Sequence, residues 1–310
     1  MDNPILSLCI PTNGAIKWVI PVIDSIYEQG CDKSLFEVII TDNAKNHELQ
    51  EAVESYEYGN IHYYQSDAQG FLNIVSSFKS AKGDFCKLIN HRSKMKEGSL
   101  HDILVLIDKY KEEQPVIYCT NGVIGDGKEE IFCKNLDELV QNLHYYCTWM
   151  AGIGIWRKDV KNLDNVEFNK LFPNTTILFE QRVAPSVYLL YNKKYFNEQN
   201  GQGKGCYNLF YAFAVEFPGM LNNLLQKERI TKDTFGNVLK DLYICLQDFY
   251  MNYVLLNQDN SFDLTGIHKS FTTYYSEKDY WRMKFYCYKQ YGYQKIVESI
   301  MSLKVFLLGR

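Results

Sequence analysis

Residues 85–100, FCKLINHRSKMKEGSL, decide how the chain is read. Phe85 to Ile89 is a mainly apolar run, Asn90 to Lys94 is polar, and a helix opens after Gly98. A short apolar run that stops abruptly in polar residues ahead of a helix is the C-terminal end of a buried strand in an open α/β sheet. Sheets of that kind hold their ligands at that edge. Here the edge carries His91, Arg92 and Lys94, so cations rather than acids stand in the turn.

Working outward, the same unit repeats. ILSLCIP (5–11) is an apolar strand stopped by Pro11 and a Thr12-Asn13-Gly14 turn. A helix is predicted from Ile16 to Glu28, with Trp18, Val22 and Ile26 at helical spacing. FEVIIT (36–41) is a second strand, ended by Asp42-Asn43 and followed by a helix over 47–58. A third strand covers 61–65 and a third helix 71–80, closed by Gly83; the helix after Gly98 runs from Ser99 to about Glu112. Strands alternating with helices of this length make parallel βαβ units with right-handed crossovers. The fold class is therefore α/β, with residues 1–114 as a nucleotide-binding type of half.

After Pro115 the rhythm changes. A strand is predicted over 116–123, a hairpin-like turn at Gly125-Asp126-Gly127, a returning strand near 130–134 and a helix from Leu136 to about Tyr145. WMAGIGIW (149–156) reads as a strand whose two glycines let something approach its backbone. A helix begins near Phe172 and breaks near Pro185, and a strand starts at Val187. NGQGKGC (200–206) is glycine-rich, and beyond Asn208 the chain is largely helical. The expected organisation is one α/β domain over 1–205, its second half (115–205) facing an acceptor, and a helical region over 206–310.

Composition narrows the partners. A net charge of −4 and a pI near 5.9 give no footprint for nucleic acid. Nine scattered cysteines without a CxxC pair suit a reducing compartment and neither a disulfide framework nor a zinc site. The start, MDNPILSLCIP, lacks the charged and apolar regions of a signal peptide, so a cytoplasmic location is expected. The 24 Tyr and 18 Phe fit sugar platforms or membrane interfaces, and equally a codon bias. Residues 279–310 mix Lys and Arg with few acids and many aromatics. That is the composition of a helix lying on an anionic membrane at the inner face of the cell, or of a helix packing on the sheet domain or on a second subunit.

Four polar groups fall at successive strand ends: Thr12-Asn13, Asp42-Asn43, Gly70 to Asn73, and Asn90 to Ser93. Asp and Asn cap helices and make turns routinely. Together at one sheet edge they outline a crevice for a polar ligand.

The order LSLCIPTNG, FEVIITDNAKN, GFLNIVSSFKSAKGDFCKLIN and EGSL resembles the family 2 GT-A glycosyltransferases of bacterial surface-polysaccharide synthesis. The likeness covers about residues 4–110 and continues loosely through TWMAGIGIWRKD to FPNTTILFE, in the manner of the abequosyltransferase-like subgroup. It implies a GT-A fold with a helical C-terminal extension, a nucleotide-sugar donor, a lipid-linked saccharide acceptor and inversion at the anomeric carbon. Pro11, Thr12, Asn13, Asp42, Asn43, Gly70, Asn73 and Asn90 would then line the donor pocket.

Two departures stand out. The family's acidic motif, which holds Mg²⁺ or Mn²⁺, falls on His91-Arg92-Ser93, a degenerate match; weak metal binding or none is expected. Arg92, with Lys94 and Lys96, would offset the diphosphate charge instead. The family's Glu-Asp base falls on Pro173-Asn174, leaving Glu180 as the nearest carboxylate, with Glu167 and Asp159 as others. Trp149 and Gly152 are expected at the acceptor, and Lys204 of the glycine-rich loop over the diphosphate. The alternative is a catalytically silent GT-A module that binds a nucleotide-sugar or glycan as a partner subunit.

Overall fold

The computed structural model describes residues 3–46, 48–125, 127–182, 187–199 and 206–308. Two compact units follow each other, Met1–Asn200 and Gly201–Arg310.

In the first unit the order is β1 (Leu6–Thr12), α1 (Ile16–Tyr27), β2 (Phe36–Asp42), α2 (Glu48–Glu54), β3 (Ile61–Gln65), α3 (Asn73–Ser80), β4 (Phe85–Leu88), β5 (Ser93–Met95) and α4 (Ser99–Lys109). There follow β6 (Val116–Cys119), β7 (Glu130–Cys133), α5 (Leu136–Leu143), β8 (Gly154–Trp156), α6 (Arg157–Val160), α7 (Pro173–Glu180), β9 (Tyr188–Tyr191) and β10 (Phe196–Glu198). The main sheet runs β3-β2-β1-β4-β8, parallel except for β8. Every residue of β1, β2 and β4 is buried, as expected of parallel strands covered on both faces. Helix α1 lays Val19, Val22, Ile23 and Ile26 into that core at the spacing of one helix face. This is a GT-A-like α/β fold.

The structure corrects the reading of three segments. The apolar stretch 149–156 is a strand only over Gly154–Trp156, preceded by a 3₁₀ turn at Met150–Gly152. Its glycines do admit a close approach, but by rings of the core. A Cβ on Gly152 would lie 2.1 Å from Tyr118, and one on Gly154 2.2 Å from Phe85. Next, β7 does not return beside β6. Strand β9 lies between them, parallel to β6 and antiparallel to β7. Finally, the turn over 90–94 runs into β5, which pairs antiparallel with β10 from a hundred residues later: Ser93 faces Glu198 and Met95 faces Phe196. Hydrophobic periodicity has no signal for a three-residue strand with a distant partner.

Lys87 lies in the middle of β4, fully buried. Its ammonium donates to the carbonyls of Leu88 (3.3 Å), Ile153 (3.2 Å) and Ala151, with no carboxylate among them. Burial lowers its pKa. The side chain thereby ties the main sheet to the 151–153 backbone.

The second unit is helical. Leu209–Tyr211 (α8) runs through a π-helical turn into α9 (Phe217–Gln226); α10 (Lys232–Phe249), α11 (Ile267–Phe271) and α12 (Glu277–Leu308) follow. Phe217, Leu221, Leu242, Leu246, Phe271 and Met283 are fully buried. Asn208 and Thr231 cap their helices by accepting from the Tyr211 (2.8 Å) and Thr234 (3.2 Å) amides.

Candidate functional site

The C-terminal ends of β1, β2 and β4 lie side by side, with Thr12 in register with Asp42. Asn73, at the start of α3, brackets the first two. Its amide nitrogen donates to the carbonyls of Thr41 (2.7 Å) and Thr12 (3.0 Å), and its own oxygen, like the Thr12 hydroxyl, is buried without a partner. Asn43 ties the same edge to the loop before α3, donating to Ala68 (2.9 Å) and Gly70 (3.1 Å). Gly70 has φ +54° and open space where a Cβ would be. Asn13 is exposed on the rim.

Asp42 is fully buried. One carboxylate oxygen accepts from the Ala44 amide (2.8 Å) and the other from the Tyr63 hydroxyl (3.0 Å). Burial first, and then the Asp42 charge, push the Tyr63 hydroxyl up to about 12. Gly14 takes φ +78°, and a Cβ there would sit 2.7 Å from that of Ala44, so glycine keeps the β1 turn tight against the Asp42 turn. As the chain folds, Asp42 organises the turn at the end of β2, and Tyr63 is the group beside it that sequence alone did not single out.

At the end of β4 the three residues in the place of the acidic motif each have a defined setting. His91 donates a ring N–H to the Pro11 carbonyl; burial, then the neighbouring Arg92 charge, lower its pKa to about 4, so the imidazole is neutral at pH 7. The Arg92 guanidinium lies 4.4 Å from the centroid of the Trp18 ring. Ser93 is buried and donates to Glu198 (2.6 Å). Asn90 shapes this turn: its side-chain oxygen accepts from Arg92 N (3.0 Å) and its carbonyl from Ser93 N (2.8 Å). Gln199 closes the cluster, its backbone amide on the Arg92 carbonyl (2.8 Å) and its side chain on the Trp18 carbonyl (3.1 Å). A hard divalent ion needs several oxygens. With the Asn90 side-chain oxygen already taken by the Arg92 amide, the cluster offers one hydroxyl and, from β10, one carboxylate next to a guanidinium, a donor set that does not fit such an ion. Among the described residues no group of three His, Cys, Asp or Glu could hold a metal.

Asn174 and Glu180 are not brought together. Asn174, buried at the start of α7, donates to the Thr148 carbonyl (3.0 Å), on the approach to β8. Glu180 is six residues on, roughly 9 Å along the helix and about 240° around it. Just beyond it, Arg182 pairs with Asp159 and donates to the Gln114 carbonyl (2.8 Å). Asp159 follows β8, whose last residue Trp156 is paired with Phe85, the first of β4. The end of α7 therefore stands at the edge opposite the strand-end cluster. Trp149 packs edge-on against Phe196 (6.1 Å between centroids) and Gly152 beneath Tyr118, so both pack against rings of the core. Lys204 lies outside the described residues.

This edge, a parallel sheet with its polar groups at three strand ends, belongs to the region from β1 to β7, which can be compared with known families. Residues 7–131 match the model of glycosyl transferase family 2. The matched region contains the C-terminal ends of β1, β2 and β4. Among solved structures, S. aureus TarS 1–349 in complex with UDP-GlcNAc is similar at TM-score 0.58 and 14% identity, over 86% of this chain and 78% of that one. TarS 1–349 in complex with UDP and TarS 1–349 alone each match at TM-score 0.56 and 15% identity, over 88% of this chain and 82% of theirs. No curated protein matches the sequence.

Sequence reasoning missed Trp18, Tyr63, Lys87, Glu198 and Gln199. Each acts through a partner far away in the chain, which no local pattern encodes.

Proposed function

We propose that the chain is an inverting glycosyltransferase that takes a nucleotide-sugar at the C-terminal edge of β1, β2 and β4. The observation that carries this reading is the convergence of Thr12, Asp42, Asn43, Asn73 and His91 at one edge of a GT-A sheet inside the family 2 region. The acceptor is a hydroxyl of a lipid-linked surface glycan, the substrate class of the abequosyltransferase-like subgroup that the sequence resembles. The acceptor oxygen bonds to the anomeric carbon as the bond to the diphosphate breaks, and the hydroxyl proton leaves to a base. Arg92, steadied on Trp18, meets the charge of the departing nucleoside diphosphate together with Lys94 and Lys96, with no tightly held metal. TarS has been solved with UDP-GlcNAc and UDP, which makes uridine nucleotides the first to test.

A second reading, a catalytically silent donor- or glycan-binding module, is favoured by one observation. The start of α7 offers Asn174, committed to a backbone carbonyl, where the family has its base.

The test is a thermal-shift panel of nucleoside diphosphates followed by transfer assays with and without EDTA. A binding nucleotide at a hundred times its Kd stabilises the fold by about 2.7 kcal/mol, a clear rise in Tm. Stabilisation together with EDTA-resistant transfer supports the proposal. Transfer abolished by EDTA and restored by Mn²⁺ removes the metal-free mechanism. Stabilisation without turnover of any donor selects the silent module, and no stabilisation by any nucleotide overturns donor binding itself.

A further inference from the structure

Among its described side chains, α12 buries a single stripe, in its first three turns. Tyr280, Met283 and Cys287, at i, i+3 and i+7, face inward. A helix packed on one side is ordinarily polar on the other. Here Trp281, Phe285, Tyr288, Tyr293, Ile296 and Ile300 are instead 52 to 75% exposed. The patch extends roughly 28 Å along the axis, at 1.5 Å per residue, which is far more apolar surface than scattered exposed side chains supply.

Cations outnumber acids on the helix, and each acid already has a partner. Glu277 is paired with His268 (2.9 Å), Asp279 with Ser276 (2.5 Å) and Arg282 (3.3 Å), and Glu298 with Lys295 (2.8 Å). Lys278 and Lys289 fall in the same half of the helix surface as the apolar patch, at 100° per residue. Lys284 lies at the rim of the aromatic group, 5.2 Å from the Trp281 ring centroid and 5.9 Å from that of Tyr288. Residues 277–310 hold seven Lys or Arg against three acids, although the whole chain is net −4.

We propose that this outward face of α12 docks on an anionic membrane surface, with the helix lying in the plane of the interface. Aromatic rings and aliphatic side chains enter the headgroup boundary while lysines meet lipid phosphates, the division of labour of an interfacial helix. No helix among the described residues is long and apolar enough to cross a membrane, so surface docking is the mode that fits. Charge argues against a second copy of the chain as the occupant, because two such faces would bring their cations together. The proposal stands on α12 alone and does not depend on the transferase reading.

The experiment is vesicle flotation of the full chain. The chain should float with vesicles of equal parts phosphatidylglycerol and phosphatidylcholine, not with phosphatidylcholine alone, and added salt should release it. Lys278→Gln with Lys289→Gln should weaken binding on the order of tenfold, and Phe285→Ser with Ile296→Ser should abolish it. Both pairs are exposed, so an unchanged Tm and circular dichroism spectrum show that the fold is intact. Failure to float with anionic vesicles overturns the proposal, as does undiminished flotation of the Phe285/Ile296 variant. So does a concentration-dependent dimer, by light scattering, that the same variant dissolves while the wild-type chain leaves vesicles alone; the face would then join two copies.

Discussion

Single residues at the end of β4 set the electrostatics of the candidate site. His91 is held neutral: its pKa near 4 in the fold lies below the ordinary 6.5. The unfolded chain therefore takes up a proton there before the folded chain does. Stability from this group is complete above about pH 6.5 and is lost as pH falls toward 4, by up to about 3 kcal/mol. Chemical denaturation across that range should show this acid limb in the wild-type chain, and His91→Gln should flatten it. Arg92 makes a separate prediction. Arg92→Ala should lower kcat/KM about a hundredfold if its charge meets the diphosphate. Arg92→Lys should recover part of the loss, since a lysine keeps the charge but not the flat guanidinium that rests on Trp18.

At the scale of elements, α7 separates two residues that sequence spacing treats as neighbours. Its first turn meets the approach to β8, and its end meets the Arg182–Asp159 pair at the other edge of the sheet. Glu180→Ala is accordingly expected to leave transfer within about twofold of wild type. A loss of a hundredfold or more in a steady-state assay would restore Glu180 to the chemistry. The strands and helices of the first hundred residues were legible because each is a continuous apolar run or a clean helical stripe, as in FEVIIT and the face of α1. The bracket made by Asn73 was legible only as a polar residue at a strand end; that it would point inward onto two carbonyls was not. The β5–β10 ladder was invisible because the pairing of Ser93 with Glu198 depends on everything folded between them.

For the molecule as a whole, the antiparallel strand β8 has a consequence for how the chain is made. Synthesis delivers β1 to β4 first, and these can pair in parallel as soon as their helices are out. Strand β4 then offers a bare rim of amides and carbonyls, as well as a lysine ammonium that has only the neighbouring Leu88 carbonyl to donate to. Both wait for Gly154–Trp156 and the carbonyls of Ala151 and Ile153, made much later. An unpaired rim of this kind recruits other nascent chains. A fragment ending at residue 114 is therefore expected in the pellet after expression, while one ending at residue 200 stays in the supernatant. The window between those two lengths is when the growing polypeptide most needs a chaperone, and a pause in translation within it would favour aggregation over a finished sheet.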